Sequence, residues 1–202
     1  MNDRDAILAG WAKFLNPQSL RANLITASLY LTAWELLRAS VEERVHDFYI
    51  NGFDENGDRI SPEYQTQVLA RDKSRLRASL LWFKDCGAID DADIDLVDRL
   101  RKHRNEIAHD LPRFMVSVDR DVNLGLLSDL VAFVAKVERW WIREVELAIT
   151  GDYTAEQMEE LADSDIQSGR MMFLSVLLQV AMGDETDAAK FYDEFLKAMP
   201  SN

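Results

Sequence analysis

The chain has 202 residues, 48% of them hydrophobic, and a formal net charge of −13. That length is enough to bury a sizeable core without covalent staples. The single cysteine, Cys86, excludes an internal disulfide, and three histidines beside one cysteine are too few for a structural zinc site. The charge argues against a general nucleic-acid binder, whose phosphate contacts need a broad basic face. The acid excess is uneven, however. Asp152 to Asn202 carries 11 acids against 3 bases, whereas Arg99, Arg101, Lys102 and Arg104 form one basic cluster and Arg71, Lys73, Arg75 and Arg77 another. The first residues carry both signs of charge with no apolar run after them, and the longest apolar-rich window, Leu24 to Leu37, is shorter than the roughly 20 residues a bilayer needs. A cytoplasmic protein without secretory signal, membrane contact, cofactor or metal is expected.

In chain order, a short amphipathic opening (Ile7, Leu8, Trp11, Phe14, Leu15) leads to Asn16-Pro17, a helix N-cap followed by proline at the first helical position. The spacing of Leu20, Leu24, Ala27, Leu31, Trp34, Val41, Val45 and Phe48 predicts one long helix to about Tyr49. Glu35 is the only charge between Ala22 and Leu37, and a lone carboxylate there is costly to bury unless paired. Asn51-Gly52 and Asn56-Gly57 mark a loop or small hairpin. The acidic run around them fails as a calcium loop, because its glycine falls at the fourth position rather than the sixth and no glutamate stands at the twelfth.

A further helical region is expected from Ser61-Pro62-Glu63 to a stop near Cys86-Gly87. Asp90 should cap the next helix, which opens on acids, ends on bases and is closed by Pro112. Leu124 to Ile149 reads as another amphipathic helix, whose Trp140-Trp141 pair suits core or dimer packing better than base stacking. Thr154 to Gln157 is a capping box opening an acidic helix. Met171 to Met182 and a last amphipathic helix with Ala188, Phe191, Phe195 and Leu196 follow. Residues 1–150 thus read as a helical bundle, and 151–202 as an acidic helical hairpin packed on it.

The chemistry concentrates in Arg104-Asn105-Glu106-Ile107-Ala108-His109. Ile94, Val97, Leu100, Ile107 and Ala108 define a buried stripe, and Arg104 lies about 20° from Val97 and about 40° from Ala108 around the helix. A guanidinium that stays charged must find an anion there: Glu35, a ligand phosphate, or both in turn. On the same wheel His103 falls opposite the stripe and reads as solvated, and His46 as a surface or packing residue. Arg104 and His109 are about 140° apart on an ideal helix. They meet on one substrate only if the last turn unwinds before Pro112 or if two copies face each other.

The run Arg104, Asn105, three residues, His109 resembles the signature of the HEPN superfamily, all-α domains that include metal-independent ribonucleases and catalytically silent relatives. Ala33-Trp34-Glu35-Leu36-Leu37, Ser79-Leu80-Leu81-Trp82-Phe83 and Leu100 to Asn105 also look like HEPN sequences, so the resemblance spans roughly Asn16 to Thr150. It implies a HEPN-like helical bundle with an acidic C-terminal extension, and a homodimer that cleaves RNA in a toxin, stress or phage-defence setting. The 2′-OH would attack the adjacent phosphate to leave a 2′,3′-cyclic phosphate. By that resemblance Arg104, Asn105 and His109 are the catalytic residues, with Glu35 in support and Arg101 and Lys102 as weaker RNA contacts. An antitoxin or other regulatory protein would be a further partner. The alternative is a non-catalytic HEPN module that binds a partner protein or nucleotide. Leu111 stands where many toxin-type relatives carry a tyrosine.

Overall fold

The first two helices, α1 (Asp3–Leu15) and α2 (Pro17–Arg38), meet at Asn16. Its side chain accepts hydrogen bonds from the backbone N–H groups of Gln18 at 3.0 Å and Ser19 at 3.3 Å. Pro17 takes the first helical position, where its missing N–H leaves no bond unmade. The computed structural model describes residues 3–55, 57–151 and 153–183, with single positions 189, 192, 193, 196 and 197 beyond them. α2 passes through a π-turn at Ala39–Glu43 into α3 (Arg44–Phe48), so the expected long helix is continuous in path but widened near its end. Strands β1 (Ile50–Asp54) and β2 (Gly57–Ile60) then form the small hairpin, with Ile50 opposite Ile60 and Asp54 opposite Gly57.

The single helical region expected from Ser61 to Gly87 is broken. A π-turn at Tyr64–Val68 and a tight turn at Leu69–Arg71 lead to an extended Asp72, and only then does α4 (Arg75–Asp85) begin. The physical reason is local. The Asp72 carboxylate accepts the Ser74 N–H at 2.8 Å and the Ser74 hydroxyl accepts the Arg77 N–H at 3.4 Å, so short polar side chains take bonds a continuous helix would have kept.

After α4 come α5 (Asp91–Val116), α6 (Leu124–Trp141), a π-turn at Ile142–Glu146, α7 (Leu147–Thr150), α8 (Ala155–Glu160) and α9 (Gly169–Met182). The Thr154–Gln157 capping box is formed as expected. The helix expected around Ala188, Phe191 and Phe195 lies outside the described residues.

The result is an all-α helical bundle centred on α2, which touches α1, α5, α6 and α9. Tyr30, Leu37, Phe83, Leu100, Ile107 and Leu130 are fully buried in its core. Trp140 and Trp141 pack against Phe83 with ring centroids 5.5 and 6.0 Å apart, so the paired tryptophans serve packing. No helix among the described residues is long and apolar enough to cross a membrane.

Two polar fastenings set how the outer helices sit. Lys13 of α1 donates to the Ser117 and Arg120 carbonyls at 2.7 and 2.6 Å and to the Asp121 carboxylate at 2.8 Å, tying α1 to the chain just past α5. Gly10 permits the approach, since a Cβ there would stand 2.8 Å from the Val116 carbonyl oxygen. The second fastening is Glu138 of α6, fully buried, which accepts from Arg44 at 2.8 Å and from Arg170 of α9 at 3.3 Å. Burial works to raise the Glu138 pKa, but the hydrogen bonds and charge of Arg44 outweigh it and hold the carboxyl below its ordinary value. Arg170 also reaches Glu43 at 3.2 Å, and Arg143 donates to the Leu161 carbonyl and to Asp163 at 2.9 and 3.0 Å.

Candidate active site

The helix that carries the motif, α5, starts where Asp90 and Asp93 exchange bonds. The Asp90 side chain accepts the Asp93 N–H at 3.0 Å, and the Asp93 carboxylate accepts the Asp90 N–H at 2.9 Å. The first of these bonds holds the Asp90 carboxyl below its ordinary pKa. Cross-links from three neighbours then fix α5 in place: Lys136 to Asp93 at 2.6 Å, Arg77 to Asp98 at 2.9 Å, and the Tyr30 hydroxyl to the Leu100 carbonyl at 3.1 Å.

The motif helix breaks just before Pro112, as its sequence predicts. Asp110 leaves helical geometry (φ −123°, ψ 23°), and the chain resumes a helical path through Pro112 to Val116. Proline lacks the N–H and crowds the carbonyl four residues back, so a kink just before it is the cheap solution. His109 itself remains within the helix.

His103 corrects the sequence reading. It is buried, not solvated: its Nε2 accepts the Asn123 N–H at 3.1 Å, its Nδ1 lies 3.4 Å from Glu106, and its ring packs edge-on to Tyr30 and Phe114. Asn123 in turn caps α6, so His103 joins the motif helix to the start of the next. Ala108, assigned to the buried stripe from the wheel, is exposed.

Arg104 and Glu35 do meet, at 3.3 Å, but not in the core. Glu35 is 54% exposed and Arg104 31%, and Glu35 also takes a bond from Arg38 at 3.2 Å. An ion pair so placed contributes little. Glu35→Ala is therefore expected to shift stability by at most about 1 kcal/mol, where a buried pair would have lost several. A thermal melt of that variant measures the difference. The second bond of Arg104, to Asn105 Oδ1, is long at 3.4 Å, and its Nε is buried without a hydrogen-bond partner. The guanidinium is thus positioned but only partly satisfied.

Asn105 and His109 are exposed, and His109 makes no hydrogen bond or ion pair among the described residues. Lys102 is exposed and equally unpaired, and by helical phase it stands within about 60° of Asn105 and about 20° of His109. Lys102, Asn105 and His109 therefore share one solvent-facing stripe, while Arg104 points around the helix toward α2. Arg101 is held by Asp98 at 3.0 Å. An open depression of about 520 Å³ lies over Asp98, Arg101, Lys102, Asn105 and Glu106.

In the second basic cluster Arg71 pairs with Asp85, Arg75 approaches Glu42, and Arg77 bonds Asp98, which leaves Lys73 as its unpaired cation among the described residues. That cluster is a set of structural ion pairs. The Cys86 thiol, whose pKa burial pushes up, is no ready nucleophile. Among the described residues no group of three or more His, Cys, Asp or Glu side chains is placed to hold a metal ion.

Fold and site together define an all-α bundle with an Arg-Asn-x-x-x-His motif on one long helix, its Asn and His facing solvent and its Arg turned toward α2. No protein-family model, curated protein or solved structure matches the chain.

Proposed function

We propose that this protein is a HEPN-like metal-independent endoribonuclease acting as a two-fold homodimer. The observation that carries the reading is an unpaired imidazole at His109 in phase with Asn105 and Lys102, beside an arginine whose hydrogen-bonding capacity is only partly used. In the proposed reaction a base takes the proton from the RNA 2′-OH and the oxygen attacks the neighbouring phosphorus. The bond from phosphorus to the 5′-oxygen breaks, and that oxygen takes up a proton. His109 is suited to either proton transfer because an imidazole carries one nitrogen that can donate a proton and one that can accept it. Arg104 supplies a planar donor for the charge gathering on the phosphoryl oxygens, and Lys102 and Asn105 bind the substrate.

Two copies are needed on this reading. The kink at Asp110 comes one residue too late to turn His109 toward Arg104, and one protomer offers a single motif imidazole for two proton transfers. A two-fold axis beside His109 supplies the second set, and self-complementary dimers are the commonest oligomers. A second surface, away from the motif, is also apolar. Ile7 and Trp11 of α1, together with Val116 and Val118, border an apolar groove of about 800 Å³ at the far end of α5, and Trp11 is 58% exposed. A rival reading, a silent module that binds a partner, draws on the Arg104–Glu35 pair, because an internal carboxylate competes with any phosphate.

Purified protein incubated with single-stranded RNA in EDTA is expected to give products ending in 2′,3′-cyclic phosphate and 5′-OH. Sedimentation at micromolar concentration should give about twice the monomer mass. A monomer that still cleaves would eliminate the composite site, and a folded dimer that cleaves nothing would leave the binding module.

A further inference from the structure

Between α6 and α9 lies a cavity of about 330 Å³, within the range of small-molecule pockets. Val131, Val134, Leu174 and Leu178 form its apolar walls. Arg139 and Gln167 also line it. Arg139 makes no ion pair among the described residues, and its Nε is buried without a hydrogen-bond partner. The arginine one turn further on, Arg143, is already held by Asp163. A guanidinium donor kept from water beside hydrocarbon walls is costly to leave unmet, and one unpaired cation calls for one negative charge.

We propose that this cavity is a binding site for a small amphipathic carboxylate. Its anion accepts from Arg139, with the Gln167 amide as a second donor, and its hydrocarbon lies along Val131, Val134, Leu174 and Leu178. A carboxylate suits the site better than a phosphate dianion, because a single unpaired guanidinium balances one negative charge and not two. A ligand bridging α6 and α9 would also stabilise the contact between the C-terminal helices and the bundle.

The test is calorimetric titration of the full chain with octanoate, with 1-octanol as the uncharged control. Saturable one-to-one binding of octanoate is expected, with octanol and the Arg139→Met variant each weaker by about tenfold or more, the loss of one charge-assisted contact. Ser175→Trp, which projects an indole from the cavity lining, should abolish binding while the protein stays folded by circular dichroism. Absence of saturable octanoate binding to the folded wild type would overturn the assignment. So would equal affinity for octanol, or undiminished affinity in folded Arg139→Met. None of these readouts depends on ribonuclease activity.

Discussion

Replacing His109 with alanine is expected to slow RNA cleavage by about 10²- to 10⁴-fold, the usual contribution of a positioned acid–base group, while leaving the melting curve in place. The asymmetry follows from where the side chain sits. It is exposed and bonds to nothing among the described residues, so its removal costs the fold little, within about 0.5 kcal/mol. Arg104→Ala should cost about 10²- to 10³-fold in rate, comparable to removing one preorganised donor to a developing charge. Lys102→Ala should act differently, weakening RNA binding and lowering the salt slope by about one phosphate contact. Single-turnover cleavage beside thermal melts measures all three. Rates within a few fold of wild type for folded His109→Ala and Arg104→Ala would eliminate the proposed mechanism.

Glu138→Ala is expected to be the most damaging single change to stability, at about 3 kcal/mol, because it removes the buried anion that Arg44 and Arg170 share and leaves each with only its more exposed partner, Glu146 and Glu43. Arg44 and Arg170 are each partly exposed, so water recovers some of the loss and the lower end of the range for broken buried pairs applies. For a chain of this size the melting temperature should fall by roughly 6 to 12 °C. The pH dependence has a definite sign. The folded state holds this carboxyl below its ordinary value, so its stabilisation is fully present above the unfolded pKa of about 4.3. It is lost as pH falls through the lower folded value. Melts of wild type and Glu138→Gln should therefore converge in acid, and a constant gap down to pH 2 would count against the assignment.

Local signals in the sequence were reliable where a few neighbouring residues settle the outcome. Asn16-Pro17, Asp90 and Thr154 start helices as their capping chemistry dictates. The wheel arguments did less well, because they assume a helix buries the same side along its whole length. α5 has 26 residues and passes several neighbours, so its buried set moves from Ile94 and Val97 to Leu100, His103 and Ile107, which buries His103 and exposes Ala108. Glu35 looked like a core carboxylate because it is the lone charge in an apolar segment. Leu24 and Ile25 of the same segment are themselves exposed, so that side of α2 is not the core side. Glu138, a fully buried carboxylate, stands between Lys136 and Arg139 and so lacks the isolation that marks Glu35. Its signal was position rather than isolation, since it sits in the stripe of Leu127, Leu130, Val134, Val137 and Trp141. The Arg104-Asn105-His109 motif was legible only as a short pattern, whereas the phase of Asn105 and His109 with Lys102 is a property of the helix surface.

The two π-turns at Ala39–Glu43 and Ile142–Glu146 each close on a bond five residues long, from the Arg44 N–H to Ala39 and from the Leu147 N–H to Ile142. Each therefore holds one residue that a regular helix would not need, and the salt bridge from Arg44 to Glu146 spans the two wide turns. Removing one residue from Ala39–Glu43 would restore ordinary helical hydrogen bonding and keep every apolar residue type in the chain. It would also rotate everything beyond that point by about 100°, carrying Arg44 away from both Glu138 and Glu146. The number of residues in this segment is thus a stricter requirement than their identity, so the segment should tolerate substitutions that a single deletion would not match.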